Sequence, residues 1–176
     1  MFTKFLRIIL TFLFIVNIST KLVLADSNYV LPYPSFMPGT TYYRLHILWE
    51  TIMKYWYFGS FAQFKYNLKL SDKYLVEAKT LFEYKQYLLG YKALEKSDLY
   101  FSKTHLFLKR AKEEKKNTGH LQDLLRQAAL KHTEVLESVS SNIPPDFVWI
   151  SEKSSPTVLN LEKSIKNSIQ IRKKII

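Results

Sequence analysis

Downstream of residue 40, apolar and polar positions alternate once per helical turn through most of the chain. Leu45, Leu48, Trp49, Ile52, Tyr55 and Trp56 form the first such stripe and predict a helix opening at Thr40 or Thr41, whose hydroxyls can cap free amides. Gly59 reads as its left-handed end and Ser60 as the cap of the next helix. Phe64, Leu68, Ser71, Leu75, Ala78 and Phe82 mark a second buried stripe, and Tyr87, Tyr91, Leu94, Phe101 and Leu108 a third. The step from Phe82 to Tyr87 breaks the helical phase, which places a tight turn at Tyr84-Lys85-Gln86 and makes a hairpin. Asn117-Thr118-Gly119 is a stop, and Lys112, Lys115 and Lys116 before it suit the negative end of a helix dipole.

A fourth helix carries Leu121, Leu124, Leu125, Ala128, His132, Val135, Leu136 and Val139 on one face and ends between Ser140 and Pro145. The segment on to Pro156 reads as a loop from which Phe147, Val148 and Trp149 dock on the helices. Val158, Leu161, Ile165 and Ile169 then define a last amphipathic stretch, followed by Arg172-Lys173-Lys174. Upstream, Pro32, Pro34 and Pro38 forbid a regular helix between Asp26 and Gly39. Tyr29-Val30-Leu31-Pro32-Tyr33-Pro34 is apolar enough to lie extended on the bundle, burying Leu31 and Phe36. The expected fold is all-α: an antiparallel bundle of about four helices with an extended Pro-rich N-terminal arm and a helical C-terminal tail. Four glycines and no close-spaced turn signals argue against an all-β fold.

Residues 1–25 have the three parts of a secretory signal. Lys4 and Arg7 form a basic start, Ile8 to Val16 an apolar run, and Val23-Leu24-Ala25 ends a polar region that predicts cleavage before Asp26. An uncleaved anchor is the alternative, since Phe5 to Ala25 approaches the ~20 residues that span a bilayer. Either way, the rest of the chain is expected outside a bacterial cytoplasm, secreted or in the envelope. This divides the chain into a signal (1–25), a helical bundle (26–145), and a loop with an amphipathic basic tail (146–176).

Composition narrows the chemistry. There is no cysteine, which removes disulfides, thiolate nucleophiles and Cys-ligated zinc. The formal charge is +11, and losing residues 1–25 removes Lys4, Arg7 and Lys21 but no acid. A basic protein favours anionic partners, although solvated lysines also serve solubility. Residues 85–116 hold nine basic and four acidic side chains. Lys109, Arg110, Lys112, Lys115 and Lys116 are therefore the candidate anion-binding residues, for a nucleic acid or wall polymer. Tyr87, Tyr91, Tyr100, Phe101 and Phe107 interleave with that charge as a stacking platform would, but they fall mainly on the core stripe.

Other candidates are weaker. His132 lies on an apolar stripe and is expected to be a core histidine with one hydrogen-bonded nitrogen rather than a ligand or base. His46 and Glu50, four apart on one helix, could face a metal but lack a third ligand nearby and read as a surface pair. His105 and His120 have no motif around them, and Glu113-Glu114 and Glu134 with Glu137 read as solvated faces. No phosphate loop, HExxH or nucleophile elbow is present. No catalytic residue, metal or cofactor is expected. The expected role is a non-catalytic interaction module, its partner an envelope protein or anionic polymer. The membrane would be reached through the N-terminal segment or basic tail alone.

Several segments together resemble a family of uncharacterised exported bacterial proteins with a helical domain of unknown function. They are Tyr29 to Pro34, Pro38-Gly39 with Tyr43, Phe64-Lys65 and Leu68, Ser71-Asp72-Lys73 and Glu77-Ala78. Tyr87-Leu88-Leu89, Lys96-Ser97-Asp98 with Tyr100-Phe101, and Leu130-Lys131-His132 through Val135-Leu136 complete the match over about residues 29–145. The chain departs from the family pattern at Arg44-Leu45-His46, at Tyr74 and in the glycine-free turn after the second helix. The resemblance implies export and helicity and brings no catalytic residues.

Overall fold

The computed structural model describes residues 28–34, 37–39, 41–152 and 155–175. The expected signal, Phe36 and the Thr40 cap lie outside the described residues. The fold is mostly helical: α1 (Thr41–Trp56), α2 (Ser60–Glu83), α3 (Tyr87–Glu113), α4 (Gly119–Ser140), β1 (Asp146–Trp149), β2 (Thr157–Asn160) and α5 (Leu161–Lys173).

The α2–α3 hairpin is the spine, and its turn is Tyr84-Lys85-Gln86, where the phase break puts it. Lys85 takes the left-handed conformation that glycine usually occupies (φ 59°). Its N–H donates to the Phe82 carbonyl (2.9 Å) and that of Gln86 to the Leu81 carbonyl (2.8 Å), so the last carbonyls of α2 are satisfied without glycine. Lys115 repeats the arrangement at the end of α3 (φ 55°). Just past the first turn, Gly90 lets the helices close up. A Cβ there would stand 2.8 Å from the Phe82 ring.

The second, third and fourth stripes are interior. Leu75, Ala78, Leu81, Phe82, Ala93, Leu94, Leu136 and Val139 meet Leu159, Leu161 and Ile165 in one cluster towards the α2–α3 turn. Phe64, Leu68, Phe101, Leu108, Leu121, Leu125, Ala128 and Ala129 form another towards the far end. Before α1, residues 28–34 carry no regular secondary structure, and Tyr29 and Leu31 pack on these clusters.

Four local expectations are corrected. The stretch after α4 is not all loop, because β1 and β2 pair antiparallel with Phe147 opposite Leu159, and Phe147 packs on Tyr87. Val158 therefore lies in a strand and is exposed rather than on the last helix. Gly59 does have positive φ (84°), but it stands as the N-cap of α2, three residues beyond Trp56, where α1 ends. Ser60 does not cap: its hydroxyl donates to Glu114 (2.6 Å), tying the start of α2 to the end of α3.

The largest correction concerns α1. Its apolar stripe is exposed, from 45 % at Ile52 to 72 % at Trp56, although the periodicity predicts burial. The opposite side of the helix faces α2 instead: Met53 and Tyr57 pack with Tyr66, Leu70, Tyr74 and Tyr100.

Candidate binding surface and buried polar layer

Polar side chains cross the interior as a layer between the two large apolar clusters. On α2, Ser71 and Asp72 separate Leu68 from Leu75; on α3, Ser97 and Asp98 separate Leu94 from Phe101. His132 of α4 and Ser168 and Arg172 of α5 complete the layer, and Arg172 is 0 % exposed. Ser71 and Ser97 exchange hydrogen bonds with each other's backbone carbonyls (3.0 and 2.8 Å), which small side chains allow where helices approach closely. Asp72 accepts from Tyr29 Oη (2.6 Å) and lies 2.7 Å from His132 Nε2. Asp98 accepts from Arg172 Nη1 (2.5 Å) and Ser168 Oγ (2.6 Å). Arg172 also donates to Ser97 Oγ (2.9 Å), to the Ser168 carbonyl (2.9 Å) and, through Nε, to His132 Nδ1 (3.3 Å).

That last bond assigns the histidine. Nδ1 must offer a lone pair to Arg172, so the proton sits on Nε2 and the ring is neutral. Burial pushes the His132 pKa below its ordinary value, against the opposite pull of Asp72. Burial likewise lowers Arg172, with Asp98 opposing. His132 is thus a core histidine, but with both nitrogens engaged rather than one. His132 and Arg172 are both fully buried, and the layer ties α2, α3, α4 and α5 together.

A second polar group fastens α1. The Glu50 carboxylate accepts from Lys73 Nζ and from Tyr74 Oη (2.7 Å), and His46 Nε2 stands 3.2 Å from it. Tyr66 Oη donates to the Glu50 carbonyl (2.5 Å), and burial pushes its pKa up to about 12. Tyr43 Oη donates to Glu77 (2.8 Å), whose pKa burial raises. Gln63 Nε2 donates to the carbonyls of Lys54 and Tyr57 at the end of the helix. His46 and Glu50 do meet, but in a half-buried cluster where an ammonium takes the place a metal would need. Among the described residues, no group of three metal-ligating side chains occurs.

The five candidate anion-binding residues lie together at the α3–α4 end. Arg110 and Lys116 both reach Glu114 (3.4 and 2.7 Å), and Lys116 also lies over the Phe61 ring (5.4 Å). Lys109, Lys112 and Lys115 are exposed. His105 and His120 are exposed as well. Tyr100 stacks on Tyr74 at 5.7 Å and Phe101 is fully buried, so the interleaved aromatics serve packing.

Among the described residues, the outer face of α1 gathers many of the exposed large apolar side chains. Tyr42, Leu45, Leu48, Trp49, Ile52, Tyr55 and Trp56 spread over roughly 140° of helix surface at 100° per residue, and Phe58 continues the face at 83 % exposure. Beside it, Trp49, Tyr57, Tyr66, Lys69 and Lys73 line a cleft of about 280 Å³ between α1 and α2. No helix among the described residues is long and apolar enough to cross a membrane. Comparison with protein-family models, curated proteins and solved structures returns no match to this chain.

Proposed function

We propose that this chain is a non-catalytic interaction module acting outside the cytoplasm, at the bacterial envelope, with the outer face of α1 as its contact surface. In this reading the helices form an antiparallel four-helix scaffold, α2 to α5, crossed by the Pro-rich arm, and α1 is displayed on it. One observation carries the proposal: the polar side of α1 is turned inward and satisfied while its apolar side is left to solvent. The five aromatics of that face alone expose on the order of 700 Å², taking about 200 Å² per ring system and the exposures at hand. That exceeds the ~300–600 Å² of the largest patch on a typical monomer. The signal-like segment at residues 1–25 and the resemblance to exported bacterial proteins support the compartment.

A photo-crosslinking side chain placed at Leu48 in the full chain is the test, with Lys112 as the control position. Adducts formed in cells from position 48 and not from 112 are expected. An inert position 48 overturns the proposal.

A second reading is binding of an anionic polymer through the end of α3. The exposure of Lys109, Lys112 and Lys115 favours it, and the Glu114 carboxylate between Arg110 and Lys116 weakens it. Under that reading DNA affinity falls steeply with salt, and undetectable binding at low salt removes it.

A further inference from the structure

We propose that α1 is a bilayer-interface helix: its aromatic face seats among the headgroups of an anionic membrane, with Arg44 and Lys69 turned to lipid phosphates. This rests on the reading of α1 as the contact surface and names what covers it.

The side-chain chemistry of the face comes first. It combines Trp49 and Trp56 with Tyr42, Tyr55 and Phe58 around Leu45, Leu48 and Ile52. Tryptophan and tyrosine concentrate at membrane–water interfaces because each joins an apolar ring to a polar tip.

Charge is the second argument. Between Ser27 and Ser71 the chain has a single acid, Glu50, against Arg44, Lys54, Lys65 and Lys69. Glu50 is buried and held by Lys73 and Tyr74, so the outward surface of α1 presents no carboxylate. Arg44, which borders the apolar arc of α1, and Lys69, which shares the cleft beside Trp49, are exposed and form a basic rim, while Lys54 lies on the other side of the helix. A lipid surface with negative headgroups attracts such a rim and accepts the apolar face at the same time. A second copy could cover the apolar face but would repel the rim. Two α1 faces pressed together would set Arg44 and Lys69 of one +11 chain against those of another, and Glu50, the one acid of α1, is turned inward.

Chain length is the third. In the uncleaved-anchor alternative, the run from Phe5 to Ala25 that would span the bilayer ends fifteen residues before α1. Such a stretch reaches at most about 50 Å when fully extended. Whenever that run lies in a bilayer, α1 is therefore kept near the same surface.

Tryptophan fluorescence separates this from its rivals, because the chain has three tryptophans and two are on the face. The full-length Trp149→Phe variant, mixed with vesicles of phosphatidylglycerol and phosphatidylcholine, reports Trp49 and Trp56 alone. Bromine on the acyl chains should quench that signal roughly two-fold or more, since an interfacial helix buries its apolar face ~5–10 Å into the headgroup–acyl boundary. The Trp49→Phe/Trp56→Phe variant, reporting Trp149 only, should be unaffected. Adding Leu48→Glu and Ile52→Glu to the first variant should abolish the quenching while far-UV circular dichroism stays unchanged. Equal intensity in brominated and ordinary vesicles overturns the membrane proposal. Should that occur while position 48 still crosslinks to protein, the contact surface stands and its occupant is a polypeptide.

Discussion

The polar layer of the helical interior and the outer face of α1 invert the usual arrangement in opposite senses. In the layer, Asp72, Asp98, His132 and Arg172 sit where apolar side chains normally would, yet each is held by hydrogen bonds from another helix. On α1, large aromatic and aliphatic side chains occupy positions that normally carry charge. Buried polarity without partners costs several kcal/mol, so the layer can exist only as a completed set. Exposed apolar surface costs the fold little and is a liability in solution instead. The two regions should therefore respond to substitution in opposite ways, severely in the layer and hardly at all on α1.

Arg172 gives the largest expected effect. Its removal leaves Asp98 facing the interior with Ser168 as its remaining partner, and it strips donors from Ser97 and His132. Arg172→Met should destabilise by about 3–5 kcal/mol, the range for breaking one side of a buried ion pair. Urea denaturation followed by circular dichroism measures it. Adding Asp98→Asn should recover part of the loss, because the stranded charge is then gone. A single variant within 1 kcal/mol of the original would show that the layer is not the sensitive region.

The interior was largely legible in the sequence, and the surface was not. Phe64, Leu68, Leu75, Ala78, Phe82, Leu94, Phe101 and Leu136 repeat at helical spacing and are buried. The layer left a fainter trace. Ser71-Asp72 and Ser97-Asp98 repeat one dipeptide on neighbouring helices, and Ser71 and His132 both fall on apolar stripes. Arg172 also falls in register with Leu161, Ile165 and Ile169, but an arginine ahead of Lys173-Lys174 reads as part of a solvated basic end. On α1 the period is helical for two stripes at once. Tyr43, His46, Glu50, Met53 and Tyr57 recur at the same spacing as the apolar set. Periodicity establishes the helix but not its facing. The hydroxyls of Tyr66 and Tyr74 and the ammonium of Lys73, 16 to 24 residues beyond Glu50, decide which stripe turns inward.

Acid should expose the layer through His132. Its native pKa is held below the ordinary value of ~6.5, so the unfolded chain binds the proton more readily. The stabilisation is present above that value and is lost as pH falls through it. Between pH 8 and pH 5.5 the loss is up to about 1.4 kcal/mol. Glu77 has the opposite sign, because burial raises its pKa and protonation relieves it. The comparison must therefore be with His132→Gln, whose stability should decline less over the same window. Identical slopes would mean that folding leaves the His132 pKa unshifted. A smaller effect, of stabilising sign, is expected at the hairpin turn. Lys85 holds a left-handed backbone that costs an L-residue roughly 1–2 kcal/mol, partly offset by glycine's greater unfolded freedom. Lys85→Gly should raise stability by about 0.5–1 kcal/mol, seen as a shift in the urea midpoint. A loss would mean that the Lys85 side chain makes contacts worth more than the strain.

The smallest effect is expected where the sequence pattern is most apolar. If the α1 stripe were core, Leu48→Glu with Ile52→Glu would bury two charges and unfold the chain. In the structure both side chains are largely solvated, and helix propensity barely changes, since leucine, isoleucine and glutamate are all tolerated in a helix interior. The double variant should stay within about 0.5 kcal/mol of the original by urea denaturation. Its solubility should rise as the apolar patch is broken by charge. The attachment of α1 depends instead on its inward face. Glu50→Gln keeps the shape but removes the charge that Lys73 answers, leaving a half-buried ammonium beside an amide. That change should loosen α1 and speed amide exchange between residues 43 and 56, while exchange in α2 and α3 stays slow. A chain in which the outward pair matters more to stability than Glu50 would mean that α1 packs the other way round.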